Sequence, residues 1–291
     1  MYRSDCVDGM SGLDDESVHF TIFSPPFASL YTYSASDRDM GNCRDDSEFE
    51  SHFRFLIDEL FRATICGRLC SVHCMNLPLL KQKHGYIGLH DFRGDIIRAF
   101  IDAGFIYHSE VVIWKDPVIA MQRTKAIGLL HKQLVKDSCM SRQGIPDYVC
   151  TFRKPGDNLE PVEGELDLWV GEAGRIKRSG RLSIDIWQRY ASPIWDDINP
   201  GNTLQFTTAR DGKDERHICP LQLDVIERCV QLWSNPGDII LDPFAGIGST
   251  GHVAIKSGRK FVGFELKDSY YDVAIRNMNA AVDSMRAQRL F

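Results

Sequence analysis

The sequence predicts an α/β protein with a mostly parallel sheet covered by helices on both faces. Three observations carry that expectation. Short β-branched and aromatic runs alternate with runs of helical period along most of the 291 residues. One apolar run, Asp238 to Leu241, leads into Asp242-Pro243-Phe244-Ala245-Gly246-Ile247-Gly248-Ser249-Thr250-Gly251, a glycine-rich turn that opens onto a helix-like stretch. Another, Val18 to Phe23, ends on Ser24-Pro25-Pro26-Phe27. Crossover connections lay helices on the faces of a parallel sheet. Both turns should therefore end strands at the carboxyl edge, where open α/β sheets bind ligands.

Composition sets the outer bounds. The chain is 43% hydrophobic and 25% charged, with a mean hydropathy of -0.23, ordinary values for a globular protein. It carries no apolar run of about 18 residues and no basic-then-apolar leader at Met1. No membrane partner is expected, and a cytoplasmic location is. Nine cysteines without such a leader point to reduced thiols. Cys66, Cys70 and Cys74 near His73 suggest a metal site, but Cys70, Val72 and Cys74 share one face of a strand and no CxxC pair occurs. Buried thiols are the better reading, and no metal is expected.

A net charge of -6 argues against attraction of the whole molecule to nucleic acid. Two local stretches oppose that. Residues 118–142 hold Arg123, Lys125, Lys132, Lys136 and Arg142 against Asp137, and residues 172–181 hold Arg175, Lys177, Arg178 and Arg181 against Glu172. They are solvated surface or a phosphate-facing one.

In chain order, Tyr2 to Leu13 is short and polar and includes Asp5. The strand 18–23 is closed by Pro25-Pro26. Ala28 to Asn42 is an aromatic loop suited to a lid. Ser47 to Glu50 has capping-box spacing and should start a helix that ends at Gly67, followed by a strand over 68–75. A helix over 90–103 closed by Gly104, a strand over 105–114, a helical basic segment over 118–137 and a strand over 148–152 complete the first half, residues 1–154. Residues 155–215 lack sustained alternation and read as an irregular insertion, packed through Trp169, Trp187 and Trp195. Residues 216–291 resume the pattern. A helix should start at Pro220, followed by a strand over 238–242, a helix over 250–257, a strand over 260–265 and a terminal helix from Ser269.

The chemistry lies in the two turns. Gly246-x-Gly248-x-x-Gly251 with Glu265 at the end of the next strand fits a dinucleotide fingerprint, the acid holding ribose hydroxyls. Asp242, however, puts a carboxylate where a pyrophosphate needs bare approach, and suits a ligand ammonium. Ser24-Pro25-Pro26-Phe27 offers a hydroxyl and a carbonyl freed by consecutive prolines. These two acceptors can bind the N–H groups of an exocyclic nucleobase amine and favour its sp³-like form during methyl transfer. An adjacent aromatic stacks an unpaired base. No Pro-Cys dipeptide occurs for a thiolate mechanism.

Together the turns resemble motifs IV and I of the N4-cytosine/N6-adenine DNA amino-methyltransferases, in the motif order of the beta class. The resemblance covers nearly the whole chain. It implies a Rossmann-like fold that binds S-adenosyl-L-methionine (AdoMet), with 155–215 as target-recognition region and double-stranded DNA as substrate. It implies cofactor contacts from Asp242, Phe244, Gly246 and Gly248, ribose binding by Glu265, and an adenine contact from Asp5, which matches the aspartate preceding the first strand. His217-x-x-Pro220-Leu221 resembles motif X beside the methionine end, with Gln222 where many members carry a second proline. Ser24 and the Pro25 carbonyl would grip the target amine next to Pro26, and Phe27 would stack on the base. Serine at the first position leans towards cytosine N4 over adenine N6. A homodimer is a reasonable expectation, and a restriction partner is left open. An RNA or small-molecule amino-methyltransferase, an inactive AdoMet-binding DNA reader and an NAD oxidoreductase remain as rivals.

Overall fold

The structure is a computed structural model, describing residues 1–26, 40–43, 46–119, 127–128, 140–141, 144–163, 188–205 and 220–288. Its strands are β1 (Tyr2–Arg3), β2 (Val18–Phe23), β3 (Thr64–Met75), β4 (Leu77–Leu79), β5 (Gly88–His90), β6 (Ile106–Ile113), β7 (Ile127–Gly128), β8 (Met140–Ser141), β9 (Asp147–Arg153), β10 (Ile194–Trp195), β11 (Ile239–Asp242) and β12 (Lys260–Glu265). The helices are α1 (Cys6–Met10), α2 (Asp46–Ala63), α3 (Lys81–His84), α4 (Phe92–Asp102), α5 (Leu223–Trp233), α6 (Ser249–Lys256) and α7 (Asp268–Gln288). Eight strands form one sheet in the order β1-β12-β11-β2-β3-β9-β6-β10. All neighbours in it are parallel except β9, which runs against both β3 and β6.

The sheet is buried on both faces, as its near-continuous apolar strands require. One face carries Cys70, Val72 and Cys74 of β3, packed with Met10, Phe53, Leu56 and Phe100 from α1, α2 and α4. The other carries Phe20, Ile22 and Val149, packed with Val225, Ile226 and Cys229 of α5 and Val253 of α6. From β2 the chain moves outward to β3, whereas from β11 it moves the opposite way to β12. The order therefore reverses between β2 and β11, and such a reversal opens a crevice at the carboxyl ends.

Several expected boundaries shift. Helix α2 ends at Ala63, and Gly67 lies inside β3 at φ 74°. Val18 pairs with Thr64 but Phe20 with Leu69, so β3 bulges where Gly67 permits it. Helix α2 already includes Asp46, which puts Ser47 in the first turn rather than at the cap. Within the segment expected to be helical over 118–137, Ile127–Gly128 is instead a short strand parallel to Met140–Ser141. Pro220 precedes α5, whose cap is Gln222; the Leu223 N–H is met by the Asn202 carbonyl at 2.9 Å. Asp5 follows the two-residue β1 and caps α1, its Oδ1 accepting from Val7 at 2.9 Å and Asp8 at 3.1 Å.

The irregular insertion also contributes to the sheet. Ile194–Trp195 pairs in parallel with Val112–Ile113 at the edge, and Trp195 is fully buried. The Arg228 guanidinium of α5 lies 5.3 Å from the Trp195 ring and 5.0 Å from Tyr190, and it meets Asp197 Oδ2 at 2.7 Å. Trp169, Trp187, the lysines and arginines of both basic runs and most of the aromatic loop lie outside the described residues.

At the amino edge of the sheet, buried Arg68 pairs with Asp238 and donates to the carbonyls of His19 at 3.0 Å and Glu160 at 2.6 Å. One side chain thus ties β3 to β2, to the approach to β11 and to the start of the insertion. Arg68→Ala would strand a buried Asp238 carboxylate, at a cost of about 3–5 kcal/mol. Urea denaturation of that variant checks it, and a loss below about 1 kcal/mol would show the network to be no stronger than a surface pair.

Candidate active site

The glycine turn leaves β11 at Asp242 and bends back through hydrogen bonds of its own. Asp242 is buried, and its Oδ1 accepts from the Phe244 N–H at 2.9 Å while Oδ2 accepts from the Thr250 hydroxyl at 2.6 Å. Glu265 at the end of β12 accepts from the Gly246 N–H at 2.9 Å and the Lys267 N–H at 2.8 Å. Gly246 has φ 53° and Gly248, the cap of α6, has φ 85°, left-handed values that disfavour any side chain. A Cβ at Gly246 would meet nothing nearer than the Phe244 oxygen at 3.9 Å, so that flank of the turn is open to a ligand. Gly251 serves packing instead: a Cβ there would sit 2.6 Å from Met278 Sδ and 2.8 Å from the Phe261 ring.

The serine turn leaves the neighbouring strand at the same edge. Ile240 pairs with Phe20 and Leu241 with Thr21, in parallel. Phe23, the last residue of β2, packs its ring 5.7 Å from that of Phe244. Ser24 follows, half-buried, with Pro25 and Pro26 buried behind it. The two turns thus flank one crevice. Asp5 joins the same edge farther out, since β1 pairs Arg3 with Glu265. Pro220 is half-buried ahead of α5. Phe27 and His217 lie outside the described residues.

A family profile described as DNA methylase matches residues 18–276 of the chain. The chain belongs to the N6/N4 DNA methylase family. Type II methyltransferase M1.MboII of Moraxella bovis is 35% identical over 285 residues, 94% of each chain. DNA adenine methyltransferase YhdJ of Escherichia coli K12 is 40% identical over 105 residues, a match that spans 35% of this chain and only 36% of that protein. Among solved structures, a Thermus thermophilus protein complexed with S-adenosyl-L-methionine superposes with a TM-score of 0.67 at 23% identity, covering 96% of this chain and 92% of that one. The cytosine-N4-specific PvuII DNA methyltransferase superposes at 0.63 with 16% identity, covering 97% and 89%. These two likenesses establish the shared fold, that of AdoMet-dependent DNA methyltransferases.

Behind Ser24 this DNA methylase carries three polar residues to which the sequence pattern assigns no catalytic role. His73 Nδ1 lies 3.3 Å from Ser24 Oγ. His73 Nε2 lies 3.3 Å from Asp147 Oδ2, within ion-pair reach though short of hydrogen-bond alignment. Lys115 Nζ lies 2.8 Å from Asp147 Oδ1. His73 and Asp147 are both buried. Burial opposes ionisation of Asp147, but His73 and Lys115 beside it hold its carboxyl below the usual range. The available signal was strand alternation: His73 occupies the face of β3 opposite the buried cysteines. Those cysteines are core residues, and burial pushes the Cys70 thiol well up.

Among the described residues, one His–carboxylate group has spacing suited to a metal, His19 with Glu160 and Asp238. Its chemistry favours an ion-pair network. His19 Nδ1 accepts from the Ile239 N–H at 3.3 Å, leaving the proton on Nε2, and Arg68 already occupies Asp238.

Burial pushes the Asp242 carboxyl up to about 7, against the opposing hydrogen bonds from Thr250 and Phe244. The folded protein therefore holds this proton more tightly than the unfolded chain. The stabilisation is complete below the unfolded value near 4 and is lost as pH rises through about 7. The ionised form costs up to about 4 kcal/mol at pH 8. Asp242→Asn keeps an acceptor for Phe244 and removes the charge. Thermal unfolding of the ligand-free variant should show a higher Tm than wild type at pH 8 and a difference that closes towards pH 5. Equal Tm at pH 8 would refute the burial argument.

Proposed function

We propose that the chain transfers the methyl group of AdoMet to the exocyclic amino group of a flipped DNA base, with cytosine N4 favoured over adenine N6. The observation that carries this reading is the placement of Ser24 and the glycine turn on adjacent parallel strands, joined by the Phe23–Phe244 contact. Membership in the DNA methylase family and the full-length likeness to M1.MboII support DNA as the substrate. Serine rather than Asp or Asn at position 24 supports cytosine.

The residues present fit the cofactor. The open flank at Gly246 admits a ligand against the backbone, and α6 directs its amino end towards it. Gly246, Gly248, Asp242 and Phe244 would hold the cofactor, Glu265 its ribose and Asp5 its adenine, with His217 and Pro220 at the methionine end. Because both Asp242 oxygens are engaged within the turn, its main role is to hold the bend that the ligand meets. When bound, AdoMet supplies an electrophilic methyl group. Ser24 Oγ and the Pro25 carbonyl accept the two N–H groups of the amine and favour its pyramidal form, while Phe27 stacks on the base.

In this reading 1–154 is the catalytic half and 216–291 the cofactor half. The DNA-reading region is what remains of 155–215 once Ile194–Trp195 is assigned to the sheet. A homodimer and a restriction partner stay within the proposal, and a cytoplasmic location agrees with a DNA substrate. Among the described residues no helix is long and apolar enough to cross a membrane.

Ser24→Ala should lower the methylation rate by about 10²-fold with AdoMet affinity almost unchanged; full activity would remove Ser24 from the reaction. Asp242→Ala should abolish cofactor binding in calorimetry, and intact binding would remove the glycine turn from the site. Nucleoside analysis of DNA methylated by this chain should give N4-methylcytosine. N6-methyladenine would reverse the base preference, and methylation of RNA or free nucleosides alone would displace DNA.

A further inference from the structure

The methylated amine leaves transfer with one proton too many, and a serine hydroxyl cannot keep it. We infer that His73, oriented by Asp147 and moderated by Lys115, is the group that takes this proton through Ser24. The inference rests on the methyltransferase reading and names a residue that this reading does not require.

Register places the chain of groups. Phe23 pairs with Val72, which sets Ser24 beside His73 on the adjacent strand. His73 pairs with Val149, and Asp147 lies two residues along the same face of β9. Lys115 arrives from the segment just after β6, whose Ile113 pairs with Asp147. The resulting path runs Ser24 Oγ to His73 Nδ1 at 3.3 Å, His73 Nε2 to Asp147 Oδ2 at 3.3 Å, and Asp147 Oδ1 to Lys115 Nζ at 2.8 Å. The two 3.3 Å contacts are loose, as catalytic contacts can be before the reacting group binds and tightens them. Polar groups buried in a sheet are costly unless they serve one another. Here they connect inwards to a catalytic hydroxyl.

The tautomer follows from the neighbours. A carboxylate beside Nε2 holds the proton there, which leaves the Nδ1 lone pair to accept the Ser24 O–H. Among the described residues, the charged group recorded against His73 is Asp147 from β9, itself paired with Lys115 from the segment after β6, and the Ser24 that follows β2 is neutral. Proton and electron accounting then closes. The new N–C bond forms as the bond between methyl and donor sulfur breaks, and that bond's electron pair stays on sulfur. The amine nitrogen becomes cationic and releases a proton to Ser24 Oγ, as Ser24 gives its own to His73 Nδ1. The imidazolium is stabilised by Asp147 and discharges to water. No oxidant or reductant enters.

The test separates proton acceptance from mere positioning. His73→Asn can place an amide oxygen near the Nδ1 position, so it preserves an acceptor for Ser24 but cannot take a proton. Single-turnover methylation by His73→Asn should fall by about 10²-fold or more, with AdoMet affinity unchanged. The acid limb of the wild-type pH–rate profile should disappear in it. Lys115→Met should move that limb to higher pH, because one positive charge no longer opposes the imidazolium. A His73→Asn variant that keeps the wild-type rate, or retains the acid limb, would overturn the relay. A second readout needs no turnover. Nitrogen-15 NMR should report His73 protonated on Nε2, with an Nδ1 signal that moves in Ser24→Ala. A proton found on Nδ1 instead overturns the relay whatever the activity, so its failure is distinguishable from failure of the methyltransferase reading.

Discussion

Everything at the candidate site depends on the parallel pairing of β2 with β11. Ile240 against Phe20 and Leu241 against Thr21 fix both the direction and the offset of two strands separated by more than two hundred residues of chain. Parallel direction sends both turns to one edge, and the offset brings Phe23 against Phe244. A slip of one residue would turn each side chain to the other face of the sheet. The apolar residues of β2 on both faces prevent it, because Phe20 and Ile22 are buried against α5 while Phe23 is buried against α2.

Two buried aspartates at this edge show how surroundings decide charge. Among the described residues Asp242 meets only neutral donors, the Thr250 hydroxyl and the Phe244 amide, and burial raises its carboxyl. Asp147 is equally enclosed but faces Lys115 and His73, and its carboxyl is lowered. The first suits a brace that holds a backbone turn. The second suits a fixed negative charge beside an imidazole. Identical side chains on the same sheet edge thus do different work through their immediate neighbours.

Much of the frame was legible from pattern. The strands at Val18–Phe23 and Lys260–Glu265 fall where β-branched and aromatic runs put them, bounded by prolines or glycine turns. Helix α5 follows its apolar period, and the two turns sit at strand ends. Misread elements share one cause: a local residue preference overruled by a distant partner. Gly67 looks like a helix stop but permits a bulge in β3 against β2. Pro220 suits a helix start, yet the first turn of α5 waits for the Asn202 carbonyl. Ile194–Trp195 has no strand neighbours in sequence and becomes one only because β6 offers an edge.

The sequence alone determined most of the longer strands and helices and pointed to two short motifs as candidates for the chemistry, because periodicity and residue chemistry are local properties of the chain. It could not determine that Ser24 backs onto His73, or His73 onto Asp147. Those contacts join β2, β3 and β9, and which strands become neighbours is decided only when long-range pairing closes the sheet. A lone histidine and a lone aspartate are ordinary letters in a string. Only the folded register makes them adjacent.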